Sequence, residues 1–128
     1  MSQEQVHNQF KVFSGRLGPD NTLGSLAAEV SNFAKDNQVA AKSIGVEYLE
    51  AAERLVVTLG YTRSEPAYEI ELAAVSLGKT DALKLNQGDF SALEQAMGDA
   101  AAKVQNIICH ELYITDDNDF VMVFMTRK

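Results

Sequence analysis

Cys109, His110 and Glu111 are three consecutive residues whose types could support nucleophilic, acid–base or metal chemistry. They lie in a run that reads as a β-strand, where neighbouring side chains point to opposite faces, so His110 cannot easily act on either neighbour. The chain holds two histidines and one cysteine, too few for a zinc site made by protein ligands alone. We therefore predict no catalytic residue and no metal. His110 is interpreted as a hydrogen-bonded residue at the core margin and kept as a candidate ligand contact.

Two further segments match ligand motifs only in part. Residues 73–80 fit a relaxed phosphate-binding loop, but residues 73–75 read as a strand and the residues after Thr80 form a poor helix. Residues 116–119 carry three aspartates and Asn118, yet they lack the glycine and the distant glutamate of a calcium-binding loop. Turn chemistry explains these residues adequately. No cofactor is predicted.

A glycine-containing loop precedes the first predicted helix and offers the best position for a small anion. Free amides and the positive end of a helix can hold an anion there. The alternative is a turn that needs glycine for its backbone conformation alone. The candidate ligand-binding residues of this loop are Gly15, Arg16, Gly18 and Thr22.

The elements that must position these residues follow from the periodicity of apolar side chains. Alternation predicts strands, and a 3.6-residue repeat predicts helices. Ser91 and Glu94 have the spacing of a capping box at the start of the second helix. The predicted strands cover residues 10–13, 44–49, 55–61, 68–78, 107–114 and 120–126, and the predicted helices cover about 23–36 and 91–104.

The order of elements is β-α-β-β twice, which suggests an internal duplication with pseudo-repeats at residues 10–63 and 68–127. Residues 44–63 align with residues 108–127 without a gap, with five identities. We predict one α+β domain over residues 1–128. Its expected form is a two-layer sandwich in which two helices lie on one face of an antiparallel sheet of about six strands.

The last strands carry apolar side chains on both faces. If Ile44, Val46 and the residues equivalent to them face the core, the opposite face of the second half still holds large apolar groups. We interpret this face as a contact with a second copy of the chain. The alternatives are that the N-terminal segment or a loop covers it, or that the two faces are exchanged. The predicted interface residues are Tyr113, Phe120, Met122 and Phe124.

Composition narrows the function. The 128 residues include 18 acids and 11 bases, a net charge of −7 that repels phosphate backbones and argues against nucleic-acid binding. A single cysteine, a polar start without signal-peptide regions and no run of ~18 apolar residues predict a cytoplasmic protein without a membrane span. We expect a non-enzymatic homodimer or larger oligomer that contacts another protein; an acidic α+β dimer of this size is similar in architecture to secretion-type chaperones. The alternative is a small-ligand (anion) binding protein or enzyme, with a site where helix meets sheet or at the dimer seam.

Overall fold

Two antiparallel sheets and two helices make up the chain, seen in a computed structural model that describes residues 9–16, 24–115 and 117–128, the side chain of residue 86 excepted. Short 3₁₀ turns occur at Glu50–Ala52 and Leu85–Gln87. The α+β class is confirmed. The strands are β1 (Gln9–Arg16), β2 (Ala40–Leu49), β3 (Arg54–Thr62), β4 (Ile70–Lys79), β5 (Ile107–Ile114) and β6 (Asp119–Arg127), and the helices are α1 (Gly24–Asn37) and α2 (Ser91–Ala102).

The hydrogen-bonded ladders join the strands in threes. The first sheet has the order β1-β3-β2 and the second the order β4-β6-β5. Strands β2 and β5, at one edge of each sheet, lie beside each other. The ladders therefore form two sheets of three strands rather than the single sheet of six that the alternation pattern suggested. Alternation along each strand identifies buried faces but not which edges pair.

The larger core lies between the inner faces of both sheets and α1. The first sheet contributes alternate residues of β3, among them Leu55, Val57 and Leu59, all fully buried. The second sheet contributes alternate residues of β6, with Val123 and Met125 at the centre. Helix α1 contacts the outer strands β1 and β4 and so bridges the two sheets. Its apolar face, which periodicity identified, supplies Leu26, Val30 and Ala34 to this core.

A smaller core lies on the opposite face of the second sheet. Met122 and Phe124 of β6 pack there against Met97 and Ala100 of α2. The two helices therefore cover opposite faces of this sheet, and the prediction that both lie on one face is wrong. The cause is β6 itself, whose residues 121–126 are all buried and need cover on both sides.

The start of α2 also differs from the predicted capping box. The residue before the helix is Phe90, and its side chain makes no capping hydrogen bond. Instead the Asp89 carboxylate accepts hydrogen bonds from the Ser91 amide at 3.1 Å and from the Ser91 hydroxyl at 2.8 Å. These bonds lower the pKa of the Asp89 carboxyl. Asp89, two residues before the predicted capping residue Ser91, therefore stabilises the start of α2.

Strand registers test the gapless alignment of the two halves. In the first hairpin Val46 pairs with Val57, whereas the residues 64 positions further on, His110 and Val121, do not pair with each other. Val121 pairs with Tyr113 instead. The ladder of the second hairpin is irregular between residues 107 and 109. Of the predicted core positions of β5, Ile108 packs against the larger core, but Leu112 packs in the smaller one and His110 is exposed. From residue 109 onward the positions in the larger core are Cys109 and Tyr113.

Candidate interaction surface

Among the residues predicted to bind a small ligand, His110 lies apart from Gly15 and Arg16. Gly15 lies on the inner face of β1, where an added Cβ atom would be 3.5 Å from the Leu26 side chain, an ordinary van der Waals contact. Arg16 is exposed at the end of β1. His110 is exposed on β5, in the other sheet. Gly18 and Thr22 lie outside the described residues.

The residues predicted to form an interface are mostly covered by the chain itself. Met122 and Phe124 are 3% and 1% exposed because α2 lies over them. Tyr113 is buried in the larger core, and that burial raises its pKa to about 12. Phe120 is half-buried near the end of the second hairpin. The large apolar groups on this face thus have a partner within the fold.

The partial ligand motifs adopt ordinary structure. Residues 73–79 belong to β4, and the Lys79 ammonium donates to the Asp117 carbonyl at 3.0 Å. Within the described part of the chain, no three His, Cys, Asp or Glu side chains are grouped so that they could hold a metal ion. Residue 116 of the acidic turn lies outside that part.

A groove of about 570 Å³ between α2 and the ends of β4 and β6 gathers three cations. Lys128 is 3.9 Å from both Glu69 and Glu71. The Arg127 guanidinium stacks 4.5 Å from the ring centroid of Tyr68. The carboxylates of Glu69 and Glu71 offset the charge of Lys128, and Glu71 itself lines the groove. The presence of Lys103 therefore does not make the groove a positive pocket.

The outer face of the first sheet is different, because large apolar side chains stand on it in the open. We define the outer face by the residues opposite the larger core. Phe10 and Val12 of β1 are 66% and 60% exposed, and Leu49 of β2 is also exposed. The remaining members are Ser14 and Arg16 of β1, Ser43, Gly45 and Glu47 of β2, and Arg54, Val56, Thr58 and Gly60 of β3.

The outer face has a ridge on one side and a trough on the other. The ridge is Phe10 and Val12. The Phe10 ring lies over Gly60, where a Cβ atom would come within 3.4 Å of the ring and 2.5 Å of the Ser43 hydroxyl. The trough is a depression of about 200 Å³ beside β2, floored by Gly45 and Thr58. A glycine in mid-strand commonly marks a close approach by another group, which fits this hollow.

Charge on the outer face is also divided between its two sides. The Arg54 guanidinium donates to the Ser14 hydroxyl at 3.1 and 3.3 Å, so it leans toward β1. Glu47 and Glu111 both line the trough. The cation thus lies near the ridge and the carboxylates near the hollow. Glu47 and Glu111 are one of the identical pairs between residues 44–63 and 108–127, and the fold places both at one depression although the registers do not make them equivalent.

The sequence does place apolar residues on this outer face. Phe10, Val12 and Val56 point away from the core, whereas Phe13 and Val57 of the same two strands point into it. The prediction concentrated on β6 because its apolar groups are larger. Only the placement of α2 shows which of the two apolar faces stays open.

No protein-family model, curated protein or solved structure matches the chain. None of the described helices is long and apolar enough to cross a membrane. The function must therefore be inferred from the fold and the outer face alone.

Proposed function

We propose that the protein is a non-enzymatic interaction module that works as a homodimer or a higher oligomer, with the outer face of the first sheet as its contact surface. The observation that carries the proposal is the exposure of Phe10 and Val12 side by side on one edge strand. Contiguous exposed apolar groups of this size mark interaction sites, and two-fold dimers are the commonest oligomers.

The second sheet supports this assignment by comparison. Its outer face, with Met122 and Phe124, is covered by α2. Neither of the two described helices covers the outer face of the first sheet, because α1 contributes to the larger core on the inner side. The two sheets have the same strand order but differ in whether a helix covers the outer face. The first sheet, which α2 does not cover, leaves the apolar side chains of its ridge exposed to water. A partner would supply the missing cover.

The proposal is tested by measuring mass in solution with size exclusion and light scattering over a range of concentrations. We expect more than one copy per particle, and we expect Phe10→Ser to shift the population toward the monomer. Phe90→Ser is the matched control, because Phe90 is 54% exposed but precedes α2 rather than lying on the outer face. A monomer at every concentration would refute the proposal.

The proposal also includes an origin of the two sheets by internal duplication. The two sheets share one strand order, which supports duplication of a β-α-β-β unit. The ladders favour a spacing of 65 to 66 residues, which matches Tyr48 with Tyr113 and Val57 with Val123. Homologous chains should show their internal identities at this spacing rather than at 64.

The single cysteine supports a cytoplasmic location, which fractionation of the source cells would test.

A further inference from the structure

We propose that the dimer forms when two outer faces pack on each other about a two-fold axis parallel to β3, with the ridge of each copy in the trough of the other. The inference rests on the proposed function and names its geometry. The occupant of each outer face is a second copy of this chain.

The registers show that large and small side chains stand level with each other across the sheet. Phe10 pairs with Gly60, and Gly60 pairs with Ser43. Val12 pairs with Thr58, and Thr58 pairs with Gly45. Each row is therefore large on β1 and small on β2.

Rotation by 180° about an axis along β3 places β1 of one copy over β2 of the other at the same level. Phe10 then meets the partner's Ser43, and Val12 meets the partner's Gly45. Two sheets packed face to face lie about 10 Å apart and within about 30° of alignment, so the matching of rows is kept near the centre of the contact. The outer face is thus complementary in shape to itself.

The charged side chains of the outer face are also complementary under this rotation. The next row holds Ser14, Val56 and Glu47. Because Arg54 is hydrogen-bonded to Ser14, its guanidinium lies on the β1 side of this row. The rotation brings it opposite the partner's Glu47, and the two-fold axis repeats the pair. Opposite charges at such positions set the register and the choice of partner more than the affinity.

The size of the outer face predicts a weak dimer. Three strands about 4.8 Å apart and eight residues long at ~3.3 Å each give a face of roughly 14 by 26 Å. Two such faces together bury roughly 700 Å², which is below the ~1,200 Å² of a standard specific interface and in the range of weak, transient contacts. We expect dissociation in the micromolar range, visible by dilution.

The test exchanges the two charges. Sedimentation velocity over a concentration series should show that Arg54→Glu alone and Glu47→Arg alone each weaken self-association about tenfold, since each homodimer then opposes like charges twice. An equimolar mixture of the two variants should regain a dimer of wild-type strength, because both contacts of the mixed dimer are of opposite sign. Lys103→Glu and Glu94→Arg are the controls, since both residues are exposed on or beside α2, away from the outer face.

A second variant tests the trough directly. Gly45→Val fills the hollow, and the fold has room for the added Cβ atom, whose nearest neighbour is the Thr58 Cβ at 3.9 Å. We expect the dimer to be lost while the melting temperature stays near that of the wild type at dilutions where both are monomeric. A wild-type dimer that tolerates Gly45→Val and shows no recovery on mixing the charge variants overturns this packing and leaves the proposed function standing. A wild-type chain that never dimerises overturns both.

Discussion

Truncation of Phe124 should cost far more stability than truncation of Phe10, although both phenylalanines lie on the outer faces of their sheets. Phe124 is 1% exposed beneath α2, so Phe124→Ala leaves a cavity that should lower the free energy of unfolding by about 3–5 kcal/mol. Phe10 is 66% exposed, so Phe10→Ala should cost less than about 1 kcal/mol. Against a total of about 5–15 kcal/mol for a domain, the first change is severe and the second is minor.

Urea unfolding followed by circular dichroism measures both values, at a concentration low enough to keep each variant monomeric. The contact with α2 can be tested further with Met97→Ala, because Met97 packs in the same small core as Phe124. The double variant should be less destabilised than the sum of the single changes by at least about 0.5 kcal/mol, as for residues that share a cavity. Equal costs for Phe124→Ala and Phe10→Ala would refute the reasoning, since α2 would then not cover the second sheet.

Three other predictions concern the backbone and the buried titratable groups. Gly98→Ala should raise the free energy of unfolding by about 0.5–1 kcal/mol, because Gly98 is inside α2 with open space around it. Gly60→Ala should gain less, because the new Cβ would lie 2.5 Å from the Ser43 hydroxyl, which must rotate away, and 3.4 Å from the Phe10 ring. Urea titration measures both, and a larger gain at residue 60 than at residue 98 would contradict the packing. Burial holds the pKa of Tyr113 at about 12, so unfolding is favoured as pH rises from about 10 toward 12; ultraviolet titration should show one late phenol that Tyr113→Phe removes. Burial also raises the pKa of the Cys109 thiol, so its alkylation near neutral pH should be slower in the native protein than in urea, and equal rates would count against this placement.

Local structure could be predicted well from the sequence because each element has a clear period. The β2–β3 hairpin needs a core face of alternate apolar residues, and Ile44, Val46, Leu55 and Val57 mark it plainly. The helices show one apolar face each, and their predicted ends agree with the structure to within about two residues. The arrangement of the two sheets could not be predicted, because the contact between the edge strands β2 and β5 leaves no mark in the alternation of either strand.

The face of β5 shows a more specific failure. A gapless comparison at a spacing of 64 residues assigned His110 to the core, but the ladders match β5 to β2 at a spacing of 65, so the inward positions are Cys109 and Tyr113. A slip of one residue moves each side chain to the opposite face of the strand.

The central strands β3 and β6 explain why one chain both closes one outer face and leaves the other open. On β6 the outward positions hold Met122 and Phe124, large groups that must be removed from water and that α2 covers within the chain. On β3 the outward positions include Thr58, which floors the trough, and Gly60, which lies under the Phe10 ring. The apolar area of the first outer face is instead concentrated at one edge, on β1. A helix of the same chain would gain little by covering a face that is half hollow. A second copy buries apolar area at two places, because its ridge fills the trough of the first copy and its trough receives the ridge of the first copy.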